Sequence, residues 1–461
     1  MLHIDETIDA FRRGSLNFDC KRMVLSQRKE GGERFEGQGY ISQSPDGTLI
    51  FKIYVTLHNA EQLDHQLALL SDKRGKIYGE EMFYDLDVTA RDGTHWAAAR
   101  NLAAFDWDTS VVVNGELDSI TADVEISSSQ HYLRLHFFDE YDVPLHRMSD
   151  TERFGNRYRV LDLAEFEACG SNFEVRKREG SGDTVVVVTS EVAFPVAFDL
   201  RIQEALQYIT ANTAIWRARL ESKSKHLELK SPWPKSTGTK LYPPISPGSM
   251  DFDEHGWRLF DKYLAYVVAK TENTYWNPVA YHLHNACEAT ANSLDARAVG
   301  SSVAVEALAG LIDVGDDMAN PERMKQFHEL ICKWLAEQTD FKDLVPRVKK
   351  QIDVLREPDK RAKRTLLALA DTGHVEKKYV KAWDYLRNRH VHPKLKDLKK
   401  PDQDLLDHIR RVEVLLRQLT FYLIGYEGPF TDYGAEGIPS KHYPLRAVPL
   451  EKPTSLLPLD S

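Results

Sequence analysis

Trp383-Asp384-Tyr385-Leu386-Arg387-Asn388-Arg389-His390-Val391-His392-Pro393 is the stretch that decides how this chain is read. Tyr379, Trp383, Leu386 and His390 recur at three- and four-residue spacing, which predicts a helix carrying those four side chains on one face. Pro393 disfavours helical backbone at the residue before it, so His392 falls at or just past the helix end while Arg387 is still helical. Arg387 flanks the apolar stripe and Asn388 points roughly opposite. An arginine, an amide and an imidazole are therefore gathered where a helix gives way to a loop. Arg387 can take phosphate oxygens in two parallel hydrogen bonds. His392 can accept or donate a proton near neutral pH, and Asn388 can orient a hydroxyl or the histidine. The set suits a phosphodiester. By spacing alone it suits an ordinary helix end better, with a solvated arginine and a histidine favoured by the helix dipole.

Outward from this stretch the chain stays helical back to Asp251. Trp257, Phe260, Tyr263, Leu264, Val267 and Val268 form one stripe, with Asp251 or Asp253 as cap. Further helices are expected over Pro278–Leu294, Val303–Ile312, Pro321–Gln338 (capped by Asn320), Asp343–Leu355, Asp359–Leu369 and Val375–Arg389, with Asp404–Tyr426 closing the bundle. Glu306 lies among apolar neighbours, and an acid there is rarely left alone. It is either on an exposed face or paired with a cation such as Arg387. His282, His284 and Cys287 share a helix, but only His284 and Cys287 have metal-ligand spacing and no second pair accompanies them.

Residues 1–18 read as a short amphipathic start ending at Gly14. From Cys20 the period becomes two, as in Phe51–Leu57, Tyr84–Val88, Ile120–Ile126, His131–Phe137 and Thr184–Thr189. Gly31-Gly32, Pro45-Asp46-Gly47, Asp92-Gly93, Asn114-Gly115 and Gly180-Ser181-Gly182 read as turns between strands. About ten short strands predict an antiparallel sandwich or barrel-like domain. Phe198–Tyr208 runs from strand into helix, and Thr213–Ser222 reads as the last strand. The expected architecture is α+β and multidomain: a β-rich domain over 1–222, a Pro-rich linker over 223–250, a helical domain over 251–426 and a Pro- and Gly-rich tail over 427–461 that wraps loosely or is partly disordered.

Arg387-Asn388-x-x-x-His392, with its Leu-Arg-Asn lead-in and Pro393, resembles the motif of the HEPN superfamily of ribonucleases, an arginine, then four to six residues, then a histidine. The helical segment around residues 255–425 carries the likeness, a little over a third of the chain. The β-rich region ahead of it looks like the ApeA-like branch of bacterial anti-phage proteins that act by abortive infection. The resemblance implies an all-α HEPN bundle and a metal-independent endoribonuclease that leaves a 2′,3′-cyclic phosphate. It further implies catalysis by Arg387, His392 and Asn388 with support from Glu306 and His390, no cofactor, and a homodimer pairing two motifs. RNA, with tRNA as the guess, is the implied partner, and a phage-derived trigger would act at the β-rich domain. A non-catalytic RNA- or partner-binding protein is the alternative.

Composition sets outer bounds. The 461 residues carry a net charge of −10, yet residues 342–417 hold 21 Lys and Arg against 12 Asp and Glu. A basic region in an acidic chain is what a local polyanion site needs, and also what solvated helix faces produce. The N-terminus lacks a basic run followed by an apolar core, no apolar run is long enough to span a membrane, and four cysteines lie scattered without CxxC spacing. These features predict a cytoplasmic chain with reduced thiols. Walker, GxSxG and HExxH motifs are absent. The acids of Asp139-Glu140-Tyr141-Asp142 read as solvated loop residues rather than a glycosidase pair.

Overall fold

The structure is a computed structural model. It describes residues 3–57, 78–107, 111–126, 129–153, 156–178, 183–222, 226–231, 241–314, 321–338, 340, 343–349, 362–391 and 402–445. An N-terminal antiparallel β-sheet region is followed by a C-terminal helical region. No described helix is long and apolar enough to cross a membrane.

After helix α1 (Ile4–Arg12) come β1 (Asn17–Gln27), β2 (Arg34–Gln43), β3 (Leu49–Leu57), β4 (Tyr84–Ala90), β5 (His95–Asn101), β6 (Ala104–Trp107), β7 (Val111–Leu117) and β8 (Ser119–Asp123). Then follow β9 (His131–Phe137), β10 (Arg147–Arg153), β11 (Asn156–Ala168), β12 (Ser171–Lys177) and β13 (Thr184–Ser190), helix α2 (Phe198–Thr210), β14 (Ala218–Glu221) and β15 (His226–Lys230). The alternation seen in the sequence is the alternation of burial. In β4, Tyr84, Leu86 and Val88 are buried and Asp85 and Asp87 exposed, because successive strand residues face opposite sides. Met23, Phe35, Phe51, Trp96, Ile120 and Leu229 share one apolar core with Ile8 and Phe11 of α1.

The fifteen strands form one hydrogen-bonded sheet in the order β10-β11-β12-β13-β9-β14-β15-β8-β5-β4-β1-β2-β3-β7-β6. It is open, with β10 and β6 as edges, so the expected barrel-like closure does not occur. Local alternation fixes which face a residue takes but not which strands pair. Here β14 and β15, late in sequence, insert between β9 and β8 and join two runs of strands. Asn114-Gly115, read as a turn, lies inside β7. Gly115 is needed for close approach, since a Cβ there would sit 2.3 Å from the Leu102 carbonyl oxygen.

The chain divides into two compact units, Met1–Gly238 with Gly256–Trp276, and Thr239–His255 with Asn277–Ser461. Helix α3 (Met250–Lys270) crosses from the second into the first. Its apolar stripe, expected to face the helical bundle, is buried in the β unit. Trp257 stacks on Phe166 at 4.1 Å and donates its indole N–H to the Pro144 carbonyl at 2.9 Å, and Tyr263 stacks on Tyr208 at 4.4 Å. Periodicity shows that a helix has an apolar face, not which neighbour covers it. His226–Lys230, read as linker, is strand β15: it forms a hairpin with β14 and pairs on its other side with β8, about a hundred residues upstream.

The second unit holds α4 (Pro278–Ala289), α5 (Leu294–Gly310), α6 (Pro321–Glu337), α7 (Ala362–Asp371), α8 (Lys377–Val391) and α9 (Asp402–Ile424). Asn277 caps α4 through the Val279 N–H at 2.9 Å and Ser293 caps α5 through the Ala296 N–H at 3.1 Å. The Ser293 cap explains why α4 stops short of Leu294 and α5 starts nine residues before the expected Val303. Ile409, Val412, Leu415, Leu416 and Leu419 bury α9 against α5 and α8. The tail is described as far as Leu445. β16 (Gly428–Thr431) and β17 (Ser440–Tyr443) pair, with Phe430, Asp432 and Tyr443 buried. The segment at Leu241–Ser246 is tied to it, since the Thr431 N–H donates to the Pro244 carbonyl at 2.9 Å. Asn320, the Gly180–Gly182 turn and residues 351–361 lie outside the described residues.

Candidate functional site

Helix α8 is held by the stripe that predicts it. Tyr379, Val380, Trp383 and Leu386 are buried. Trp383 donates its indole N–H to the Ser302 carbonyl of α5 at 3.0 Å, which pins the middle of α8 against that helix. The helix runs to Val391. Arg387 and Asn388 emerge on its exposed side. His390 is helical with its side chain outside the described residues, and His392 and Pro393 lie outside them altogether. The structure therefore places Arg387, Asn388 and Glu306 and is silent on the histidines.

Arg387 and Glu306 meet across α8 and α5. The arginine Nε donates to Glu306 Oε2 at 3.1 Å and its Nη2 to Oε1 at 3.4 Å. Both side chains are 47% exposed. The guanidinium carbon lies 5.8 Å from the centre of the Trp383 ring, within cation–π range. Both readings of Glu306 hold together: it lies on an exposed face of α5 and also meets a cation one helix away. Lys377 and Lys381 are also exposed on α8, and Lys363 of α7 reaches Asp384 at 3.1 Å.

His282, His284 and Cys287 lie on α4. Cys287 is buried. Burial pushes the His282 imidazole below its usual range; it does the same to His284, where Glu288 opposes it. Among the described residues no three His, Cys, Asp or Glu side chains come together as metal ligands would.

The sequence reading misses a polar network at the other end of α8. Tyr379 donates its hydroxyl to Asp432 of the tail at 2.5 and 2.6 Å. Asp432 is fully buried and also receives the Gly434 N–H at 3.1 Å and the Lys441 ammonium at 2.6 Å. Lys441 reaches Glu376, just before α8, at 2.6 Å. Burial and the Asp432 carboxylate together hold the Tyr379 phenol far above its usual range. Burial alone would lower Lys441, but its bonds to Asp432 and Glu376 outweigh that and raise it. Tyr379 is legible as a stripe residue; nothing local announces a carboxylate 53 residues later. A second ion pair, Arg297 with the buried Glu413, joins α5 to α9 at 2.6 and 2.9 Å.

No protein-family model, no curated protein and no solved structure matches this chain.

Proposed function

We propose that the chain is a metal-independent endoribonuclease of the HEPN type, ApeA-like in organisation, acting in bacterial anti-phage defence. The observation that carries this reading is Arg387: half exposed near the end of a helix pinned by buried aromatics, aligned by Trp383, and followed in sequence by Asn388 and His392. In the proposed chemistry a base takes the proton of a ribose 2′-hydroxyl, which attacks the adjacent phosphate. An acid protonates the leaving 5′-oxygen, giving a 2′,3′-cyclic phosphate. His392 serves proton transfer, Arg387 stabilises the added charge on phosphorus, and Asn388 orients the reacting groups. Two proton-transfer groups are needed and one motif supplies one clear histidine, so two copies meet at the site. The exposed Phe327, Leu330 and Trp334 on one face of α6 favour such an association. The β-rich unit would then be the receiver of a phage-derived signal, and tRNA or another cellular RNA the target. Incubation of the purified protein with total RNA, followed by mapping of the ends, tests the reading. Cyclic-phosphate ends dependent on Arg387 support it; intact RNA under all conditions, with tight RNA binding, would make it a binding protein instead.

A further inference from the structure

We propose that Glu306 is a displaceable counterion for Arg387: its carboxylate occupies the guanidinium edge that a substrate phosphate takes, so RNA must exchange one anion for another to engage the site. The inference rests on the nuclease reading above and gives its arginine a regulated state.

The geometry of the edge comes first. Nε and Nη2 are the adjacent donors facing Glu306 Oε2 and Oε1. Paired donors of this kind are how an arginine takes a carboxylate or a phosphate in two parallel bonds. An oxyanion arriving there has to move the carboxylate.

The pair is also loosely built. Its contacts of 3.1 and 3.4 Å exceed the roughly 2.7–2.9 Å of a good charge-assisted bond. Both partners are half in water, where side-chain entropy and salt oppose an ion pair. Arg297 and Glu413, in the same unit, show the contrast: contacts of 2.6 and 2.9 Å onto a carboxylate that is 1% exposed. That pair is made to stay.

Arg387, finally, does not depend on Glu306 for its place. Its backbone is fixed by Trp383, which is buried and bonded to Ser302, and its guanidinium lies over the same ring. Among the described residues Glu306 makes no polar contact except with Arg387. A residue whose task was to hold the arginine would be buried and close; this one is exposed and long-bonded. Its effect is to neutralise. A nucleic acid overcomes that neutralisation because each phosphate that binds also releases condensed counterions.

The test uses the full-length protein and a fluorescent 2′-deoxy oligonucleotide, which has no 2′-hydroxyl and is not cut by the proposed chemistry. Glu306→Gln keeps the shape and removes the charge. It is expected to tighten binding about two- to fivefold at low salt, and to steepen the dependence of log affinity on log salt by about 0.7 for a single-stranded probe. Both gains are expected to vanish in an Arg387→Ala background. Unchanged or weaker binding by Glu306→Gln overturns the proposal. So does a gain that survives Arg387→Ala, which would be a general effect of net charge, and so does a protein that binds no oligonucleotide at low salt. The nuclease reading is scored separately, by cleavage of RNA. A protein in which Glu306→Gln tightens Arg387-dependent binding yet no RNA is cut keeps the counterion and loses the nuclease.

Discussion

Arg387 is a surface residue whose removal leaves no cavity, so its replacement reports on chemistry rather than folding. Arg387→Ala is expected to lower RNA cleavage about a hundred- to a thousandfold, the usual consequence of removing one charge-stabilising donor, with the melting temperature unchanged. His392→Ala is expected to abolish cleavage, and His390→Ala, at a position that the sequence spacing assigns to the apolar stripe, to matter less. A larger loss at His390 would mean that the wrong histidine carries the proton. At this scale the sequence says a good deal. Glu306 stands out as a carboxylate among apolar neighbours in the sequence, and Arg387 is the cation it meets on the exposed face. Asp432 is not recognisable. It sits in a Gly- and Pro-rich tail whose composition suggests loose chain, and only the folded structure brings it to Tyr379.

The elements differ in how far their own residues determine them. α8 and α9 follow from uninterrupted stripes. The α4–α5 boundary depends on one serine cap, easily lost among neighbouring polar residues. The insertion of the β14–β15 hairpin between β9 and β8 depends on strands far away in sequence, beyond any local pattern. The hairpin β16–β17 is tied to Tyr379 of α8 by Asp432, and to Glu376 just before α8 by Lys441. Asp432→Asn leaves Lys441 and the Tyr379 hydroxyl around a neutral amide, and is expected to destabilise the protein by about 3 kcal/mol, the scale of a broken buried ion pair. Urea unfolding followed by tryptophan fluorescence measures it. A shift within error of zero would show that the tail hairpin is held by its apolar residues alone.

The whole protein is expected to weaken in mild acid. Burial, reinforced by Arg134 and Arg178 and opposed by Asp5 and Asp9, pushes the His136 imidazole down to about 3. An unfolded histidine titrates near 6.5, so between these values the unfolded chain binds a proton that the folded chain refuses. Stability from this group is full above about pH 6.5 and falls as pH drops toward 3, by about 2 kcal/mol between pH 7 and pH 5. His136→Gln is expected to flatten that slope in urea titrations at the two values; parallel slopes would place the acid sensitivity elsewhere. If two motifs share one phosphate, the full-length protein is expected to be a dimer in sedimentation at micromolar concentration, with RNA binding that weakens as salt rises. A monomer that cleaves at a rate linear in protein concentration would refute the shared site.

Strand β15 has a consequence for anyone dissecting this protein. The composition invites a cut after Ser222, where polar and proline-rich sequence begins, yet His226–Lys230 is the seam between β14 and β8. A fragment ending at Ser222 would fall into a six-strand and an eight-strand half-sheet, each with a raw inner edge open to other chains. Its precipitation would say nothing about what the intact region does. A piece meant to stay soluble has to run at least through Ser231, and has to keep Gly256–Trp276, which supplies the aromatic side chains stacked on Phe166 and Tyr208.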